Sequence, residues 1–395
     1  MPMFRKLAIV IPTRNRSDLA RLTVESVLRQ ARGQQVHIVL SDNSTDPEHS
    51  AALAAYMSTV AGEPVSLIRP SSPLAMAEHW EWAVSVAIEA SAPSHLLILT
   101  DRMAFKNDAL ALVLQAVRRH PDDVISYTYD RIDDYATPVS FMALPRTGDT
   151  FRIAATEILA LSAQMRFYSF FPRMLNCVAP VSLLGELKNT HGSMFISVSP
   201  DYCFCFRALD VVDSIVYVDY SALVNYGQSR SNGGSFGRGV STPDSIDFIN
   251  SSGAAKINSM TPLPEVNTIG NAVISEFLVA GHQSRHKKFP ELSRDAYLRF
   301  LGLEQLKFVD PGKRKEGLRK LQDAGLDCDM NFRLSAFRQS VEGLIVRLRS
   351  KRFNTFDDAY RFAVGHPSKN KPWLRRILGR YKFGELEATA GSNDA

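Results

Sequence analysis

The chain has 395 residues and a mass of 43.9 kDa, a length that predicts two or three folded units. Hydrophobic residues make up 45% and charged residues 22%, with 22 glycines and 20 prolines, which excludes collagen-like, disordered and low-complexity proteins. The 46 basic and 41 acidic residues give a net charge of +5, a mild excess that suits an anionic ligand or membrane surface without identifying one.

The first 130 residues alternate short apolar runs with segments of helical periodicity. The predicted strands are Leu7–Ile11, Val36–Leu40, Val65–Ile68, His95–Thr100 and Val124–Tyr129. The predicted helices are 17–32, 47–60, 76–90 and 108–120, with Asp46 and Asn107 as expected N-caps of the second and fourth. Strands that are apolar nearly throughout, with helices between them, predict a mostly parallel sheet covered on both faces.

Beyond residue 130 the pattern is looser. Prolines and aromatic residues are frequent over 131–188, which is typical of a segment that shapes a site. Further strands are predicted at Ser193–Val198 and Ile215–Asp219, flanking a helix at Pro200–Leu209. From about residue 271 to residue 362 the periodicity is helical, which predicts a separate helical unit.

Glycines and serines dominate Gly227–Gly239, which predicts a mobile loop. We interpret this loop as a lid, with Arg230 or Arg238 meeting phosphate upon closure.

The sequence indicates an intracellular setting. No run approaches the length of a membrane span, and no cleavage site follows the first apolar run, so neither an anchor nor a signal peptide is expected. The four cysteines, Cys177, Cys203, Cys205 and Cys328, have neither zinc nor redox spacing, which fits a reducing cytoplasm.

Polar residues gather directly after several predicted strands. These groups are Pro12–Arg16, Ser41–Asp46, Asp101–Arg102 and Ser199–Tyr202. In open α/β sheets ligands bind beyond the carboxyl ends of the strands, so these groups are the first candidates for a site.

Two of these strand ends carry a resemblance to a known family. The run from Leu7 to Arg16, followed by a helix and by Val36–Asp46, resembles the opening of the family 2 glycosyltransferases, an inverting group with the GT-A fold. The segment 72–83 is similar to the stretch that precedes the metal-binding strand of that family. The resemblance covers about Leu7 to Asn225.

The resemblance implies a nucleotide pocket at the strand ends. Pro12 and Thr13 match the end of the first strand. Asp42 matches the acid that hydrogen-bonds the pyrimidine ring, and this role is favoured over a turn role because the motif stands at a strand end beside Thr13. It also implies binding roles for three further residues: Arg16, Ser44 and His79. For His79 a second interpretation is open, because this residue and its tryptophan neighbours on the same helix can pack in the core.

The metal motif of the family is altered in this chain. Asp101 is retained, but Arg102 occupies the position of the main metal-binding acid. A guanidinium cannot ligate Mn²⁺ or Mg²⁺, yet it can bind phosphate oxygens directly. We therefore expect a metal-independent enzyme in which Arg102 stabilises the leaving diphosphate, with Asp101 as the one candidate metal ligand. The alternative is an ordinary surface arginine in a chain that has lost its ancestral activity.

Asp201 matches the acid that members of the family use as general base at the acceptor side. Inversion by direct displacement needs one carboxylate beside the acceptor hydroxyl. Ser199, Pro200 and Asp201 also form a good helix start, and both roles are compatible.

The C-terminal segment 369–383 has six basic residues, no acidic one and several aromatics. This composition suits an anionic membrane surface, and a helix docked on the domain explains it equally well. A nucleic-acid partner is not expected, since no recognition module accompanies the segment.

Taken together, these features predict a GT-A-like, mostly parallel α/β domain over 1–235, with a nucleotide-binding half at 1–130 and an acceptor half at 131–235. A linker at 236–270 and a helical region with a basic tail at 271–395 follow. The resemblance implies an inverting enzyme that moves a sugar from a UDP or dTDP donor to a glycan or lipid-linked acceptor in cell-envelope polysaccharide synthesis. It would be cytoplasmic and peripheral on the inner face of the plasma membrane.

Two rival functions are open. A degenerate sugar-nucleotide-binding scaffold accounts for Arg102, while a sugar-nucleotide nucleotidyltransferase lacks its glycine-rich phosphate loop after the first strand.

Overall fold

The computed structural model describes residues 6–195, 198–252, 258–367 and 384–385. Within these residues twelve strands join one sheet. The strands are β1 Leu7–Thr13, β2 Val36–Asp42, β3 Val65–Ile68, β4 His95–Ile98, β5 Met103–Phe105, β6 Ile125–Asp133, β7 Val139–Met142, β8 Thr150–Ala154, β9 Cys177–Pro180, β10 Ser214–Asn225, β11 Lys351–Phe353 and β12 Gly384–Glu385. The helices are α1 Ser17–Ala31, α2 Pro47–Thr59, α3 Met76–Ser91, α4 Ala109–Arg119, α5 Ala155–Ala163, α6 Val181–His191, α7 Pro200–Val211, α8 Asn232–Arg238, α9 Pro243–Ser252, α10 Ile269–Gln283, α11 Arg294–Gln305, α12 Pro311–Asp323, α13 Met330–Arg349 and α14 Phe356–Gly365.

The first half of the sheet is parallel, in the order β3-β2-β1-β4. Alternate residues of β1 face opposite cores: Val10 packs with Trp80 of α3, whereas Ile9 packs with Val24 of α1. This two-sided burial explains why the strand is apolar almost throughout. Thr13 pairs in register with Asp42, so the polar ends of the two strands share one edge of the sheet.

The second half of the sheet is mixed. β9 runs antiparallel between β4 and β6, β10 is parallel to β6, and β8 is antiparallel to β10. The predicted α/β class with a central sheet between helices is confirmed, and the predicted strand Ile215–Asp219 is part of β10, while β8 and β9 had no clear pattern in the sequence.

Several local predictions are wrong. No strand occurs at 193–195 or at 198, the described part of the predicted strand Ser193–Val198. The fourth helix is preceded by Asp108 in a left-handed conformation, φ 63°, instead of being capped by Asn107. Asp46 does cap α2, since its carboxylate accepts a hydrogen bond from the Glu48 N–H at 2.9 Å.

The predicted mobile loop Gly227–Gly239 is instead largely helical. Ser231 caps α8 by accepting a hydrogen bond from the Gly234 N–H at 3.1 Å. A side chain at Gly234 would overlap Tyr135, and one at Gly239, where φ is +64°, would overlap Phe308. The glycines of this segment therefore allow close packing. Likewise, the stretch 236–270 expected as a linker contains α9.

The first of the C-terminal helices packs on the α/β domain. Helix α10 lies against α7, where Phe206 and Phe277 meet edge to face at 5.4 Å and Asp210 accepts a hydrogen bond from Ser284 at 2.6 Å. The region also contains β11 and β12, which pair with β7 and β8. The domain boundaries stay predictions, and the basic segment 369–383 lies outside the described residues.

Among the helices that the structure describes, none combines the length and apolarity needed to cross a membrane. Among the described residues the four cysteines form no disulfide, and all but Cys328 are buried.

Candidate active site

A cavity of about 830 Å³ opens at the carboxyl ends of β1 and β4 and faces the start of α7. Its volume suits a small ligand of nucleotide-sugar size. Of the residues predicted from the sequence, the cavity is lined by Pro12, Thr13, Arg16, His79, Asp101, Arg102 and Asp201. Asp42 and Ser44 line a small neighbouring cleft instead, and Asn43 lines both spaces.

One side of the cavity, which we call the strand-end wall, consists of Thr13, Arg16, Asp101 and Arg102. Its centre is the buried carboxylate of Asp101. Oδ2 of Asp101 accepts hydrogen bonds from the Thr13 hydroxyl at 2.9 Å and from Arg16 Nε at 2.8 Å. Asp101 thus holds the end of β1 and the start of α1 against the end of β4.

Arg102 is the least neutralised cation of this wall. Its Nε lies 4.0 Å from Asp101 Oδ1, beyond hydrogen-bond distance, and its buried Nε and Nη1 have no hydrogen-bond partner among the described residues. Burial, together with the charge of Arg16, lowers the pKa of Arg102 to about 10, so the guanidinium remains charged at neutral pH. A buried cation with unused donors is suited to bind an anion.

The donor set does not suit a divalent cation. One oxygen of Asp101 already accepts hydrogen bonds from Thr13 and Arg16. The guanidinium groups of Arg16 and Arg102 both lie beside this carboxylate. The described residues contain no group of three or more His, Cys, Asp and Glu side chains placed to hold a metal. Metal binding by Asp101 and metal independence both stay predictions.

The neighbouring cleft is built around Asp42 and Arg69. Oδ1 of Asp42 accepts a hydrogen bond from the Ser44 N–H at 2.9 Å, and Oδ2 lies 3.6 Å from Arg69 Nη1. Burial by itself would raise the pKa of Asp42, but Ser44, which donates a hydrogen bond to it, and the nearby Ser50 hydroxyl hold that pKa below its ordinary value. Asp42 is therefore both an ionised hydrogen-bond acceptor and a turn residue. No pattern in the sequence pointed to Arg69 as a residue of this cleft.

His79 packs in the core and also reaches the cavity, the two positions that its two interpretations require. It is buried, its Nε2 lies 2.7 Å from the Ser41 hydroxyl, and its ring stacks on Trp82, yet it also lines the cavity. Burial lowers the pKa of His79 to about 4, so the ring is neutral at physiological pH. His79 contributes a neutral polar edge to the site.

The facing side, which we call the helix wall, consists of Tyr129, Arg173, Asp201 and Tyr202. Pro200 occupies the first turn of α7, as predicted, and Asp201 follows it, whereas Ser199 makes no side-chain cap. Burial raises the pKa of Asp201, and the charge of Arg173 opposes the rise. A carboxylate with a raised pKa at a helix start facing the cavity has the properties of a proton acceptor.

Arg173 is the main residue of the helix wall that sequence analysis missed. Its Nη2 donates to the Tyr129 hydroxyl at 3.0 Å, and its guanidinium carbon lies 5.6 and 5.4 Å from the ring centroids of Tyr129 and Tyr202. Although burial opposes it, Tyr129, Tyr202 and Asp201 raise the pKa of Arg173 above its ordinary value. Arg173 is therefore a permanent positive charge beside Asp201.

Ion pairs tie α9 to the β1–α1 turn and the turn before α8 to the start of α1. Arg14 pairs with Asp247 through two bonds of 2.8 and 3.0 Å, and Arg230 pairs with Asp18 at 3.0 Å. Arg230 is thus occupied by carboxylates and does not line the cavity. Arg238 does line it, with its guanidinium carbon 4.1 Å from the centroid of the Tyr135 ring.

The side chains that line the cavity carry a net positive charge. Seven basic and four acidic side chains line it. The basic ones are Arg14, Arg16, Arg102, Arg131, Arg173, Arg238 and Lys307, and the acidic ones are Asp101, Asp201, Asp244 and Asp247. Such a lining favours an anionic ligand.

Comparison with known proteins identifies the first part of the chain. Residues 8–173 match the family model described as Glycosyl transferase family 2. Residues 8–173 are a family 2 glycosyltransferase domain. The predicted glycosyltransferase is confirmed at the level of this family, and its donor stays a prediction. The match ends at Arg173, so the role of Asp201 stays a prediction.

Solved structures are similar to this glycosyltransferase at low identity. S. aureus TarS 1–349 aligns with a TM-score of 0.44 and 11% identity, covering 81% of this chain and 90% of that one. TarS 1–349 in complex with UDP-GlcNAc aligns with a TM-score of 0.44 and 11% identity, covering 82% and 93%. No curated protein matches the chain.

Proposed function

We propose that this enzyme transfers a sugar, with inversion, from a uridine or thymidine diphosphate donor to a hydroxyl of a glycan or lipid-linked acceptor in cell-envelope polysaccharide synthesis. The observation that carries the proposal is a positive cavity with Arg102, whose Nε and Nη1 are unused donors, on one wall and Asp201, a carboxylate of raised pKa, on the other. Direct displacement needs these two functions on opposite sides of the anomeric carbon.

The base of the donor is proposed to enter the small cleft beside Asn43. Asp42 Oδ2 lies 3.6 Å from Arg69 Nη1 and can accept the ring N–H of uracil or thymine. The planar guanidinium of Arg69, half exposed, can stack on that ring. Pro12, Thr13, Ser44 and His79 would line the path from the base to the diphosphate.

The diphosphate is proposed to lie against Arg102. Arg16 is already engaged by Asp101 and by the Arg230 carbonyl, whereas Nε and Nη1 of Arg102 are unused. Negative charge builds on the diphosphate as the bond to the anomeric carbon breaks. Arg102 would stabilise that charge in place of a divalent cation, since bonds from arginine to phosphate are charge-assisted.

Asp201 is proposed to be the general base. The acceptor oxygen bonds to the anomeric carbon as its proton moves to the Asp201 carboxylate, and the electron pair of the breaking bond leaves with the diphosphate. The raised pKa of Asp201 brings its proton affinity closer to neutral pH, which favours this transfer. The segment 131–188, including Arg173, would shape the acceptor side.

Thermal stabilisation by uridine, UDP and dTDP, each with excess chelator or with Mn²⁺, tests the donor side. We expect UDP to stabilise the protein more than uridine in chelator, because the diphosphate adds contacts with Arg102. Arg102→Met should weaken UDP binding roughly 10- to 100-fold and leave uridine binding unchanged. Arg119→Met, an exposed arginine on α4, is the matched control and should change neither.

A transfer assay in excess chelator tests the metal-independent role of Arg102. Turnover should persist. Complete loss that Mn²⁺ or Mg²⁺ restores would show that a cation carries the diphosphate charge, and equal binding of UDP by the Arg102→Met variant would remove Arg102 from the donor site.

A further inference from the structure

Helix α13, Met330–Arg349, has almost no partner in the fold. Of its twenty residues only Phe332 is buried. Large apolar side chains on it are 37 to 75% exposed. They are Met330, Leu334, Phe337, Val341, Leu344 and Leu348.

These six residues follow one another at alternating steps of four and three. With about 3.6 residues per helical turn, such steps put all six on one stripe of the helix. Ile345, 40% exposed, widens the same stripe. A continuous apolar stripe of this length on the surface of a soluble fold marks a contact face.

Arginines border the stripe on both sides. By helical position Arg333 and Arg347 lie along one border and Arg338 and Arg349 along the other, while Glu342 is the one acidic residue of the helix. All four arginines are exposed. An apolar face bordered by cations is the pattern of a helix that lies in the plane of an anionic membrane surface.

Charge argues against a second copy of the chain on this stripe. In a paired helix the positions that flank the seam face each other, and here three of them are Arg333, Arg338 and Arg347. Two copies would bring arginine against arginine in either orientation. The segment 369–383, with six basic and no acidic residues, meets the same repulsion.

We propose that the exposed face of α13 is a docking surface for anionic phospholipid, with the apolar stripe inserted at the headgroup boundary and the arginines on lipid phosphates. This surface is separate from the sugar-transfer cavity and does not depend on the proposed function.

Flotation of the full chain with lipid vesicles tests the proposal. We expect binding to vesicles of equal parts phosphatidylglycerol and phosphatidylcholine, little binding to phosphatidylcholine alone, and weaker binding at high salt. Combined substitution of Phe337→Ser, Leu344→Ser and Leu348→Ser should reduce partitioning on the order of 100-fold or more. Arg338→Gln, Arg347→Gln and Arg349→Gln together should reduce it on the order of 100-fold.

Val346→Ser is the matched control, since Val346 is 37% exposed but lies on the opposite side of the helix. It should leave binding unchanged. The tested side chains are exposed, so the variants should fold, which their unfolding midpoints check.

Three results would overturn the proposal. The first is unchanged binding by the serine variant, and the second is loss of binding only when Arg375, Arg376 and Lys382 of the segment 369–383 are replaced by glutamine. The third is a dimer in sedimentation equilibrium that the serine variant dissociates, which would make a second copy the occupant of the stripe.

Discussion

The strand-end wall and the helix wall hold their charges in different ways. At the strand ends, Asp101 is neutralised by two short hydrogen bonds, from Thr13 and Arg16. On the helix wall, Asp201 lies among aromatic rings and beside one cation, Arg173, and burial raises its pKa. A carboxylate that accepts hydrogen bonds from two elements holds those elements together, whereas one with a raised pKa is suited to take a proton.

The largest expected effect comes from removing the proton acceptor. Asp201→Asn keeps the shape of the side chain but cannot take the acceptor proton, so kcat should fall roughly 10²- to 10⁴-fold. Steady-state kinetics at saturating donor measures this loss, and stabilisation by UDP should stay near that of the unchanged protein because Asp201 faces the acceptor.

Asp213→Asn is the matched control. Its side chain is fully exposed just beyond the end of α7, and its substitution should leave kcat unchanged. A folded Asp201→Asn variant with near-normal turnover would rule out Asp201 as the base and would erase the functional difference between the two walls.

Arg173 should control the pH at which Asp201 works. Activity requires ionised Asp201, so it falls as the pH drops through the pKa of that carboxyl. Because Arg173 opposes the rise caused by burial, Arg173→Met should raise the pKa of Asp201 further. The acid limb of kcat/KM against pH should move upward, with an approximately tenfold loss at acidic pH that recovers at higher pH.

Arg173→Lys retains the positive charge and should keep the acid limb near its original position. If Arg173 only supports the packing of Tyr129 and Tyr202, then Arg173→Met will lower the rate equally at every pH. That outcome would assign Arg173 to structure and leave the pKa of Asp201 to burial alone.

The strand-end wall was predictable because its signal is local. Apolar runs such as Leu7–Ile11 define parallel strands, and the chain places polar residues directly after them, so Thr13, Asp101 and Arg102 could be assigned to one edge of a sheet. The strands and helices up to residue 130 were predicted for the same reason. The three-residue strand β5 was missed, being too short to show a period.

The helix wall was only partly predictable because it is assembled from distant segments. Tyr129 lies on β6, Arg173 in an irregular stretch and Tyr202 on α7, and the ring contacts that join them leave no pattern in the sequence. Asp201 was found through a family resemblance. The glycine-rich composition of Gly227–Gly239 predicted a mobile loop, and this prediction is wrong. The glycines there permit close packing of a helix against Tyr135 and Phe308.

The smallest expected effect tests whether hydrogen bonds hold the strand-end wall. Thr13→Val keeps the shape of a buried side chain but removes the hydrogen bond of 2.9 Å to Asp101. Asp101 keeps its bond from Arg16, so the loss of transition-state stabilisation should be about 1 kcal/mol. This corresponds to a roughly fivefold lower kcat/KM for the donor. Thr13→Val removes a bond that holds Asp101 in place, whereas Asp201→Asn removes the group proposed to take the proton.

Thr128→Val is the matched control for Thr13→Val. Thr128 is a buried strand residue on β6, and its hydroxyl has no hydrogen-bond partner among the described residues. Removing that hydroxyl should leave kcat/KM unchanged and leave the free energy of unfolding unchanged or higher, because an unpaired buried polar group costs stability. If Thr13→Val is as silent as Thr128→Val in both measurements, then Arg16 alone holds Asp101, and the strand-end wall depends on one ion pair.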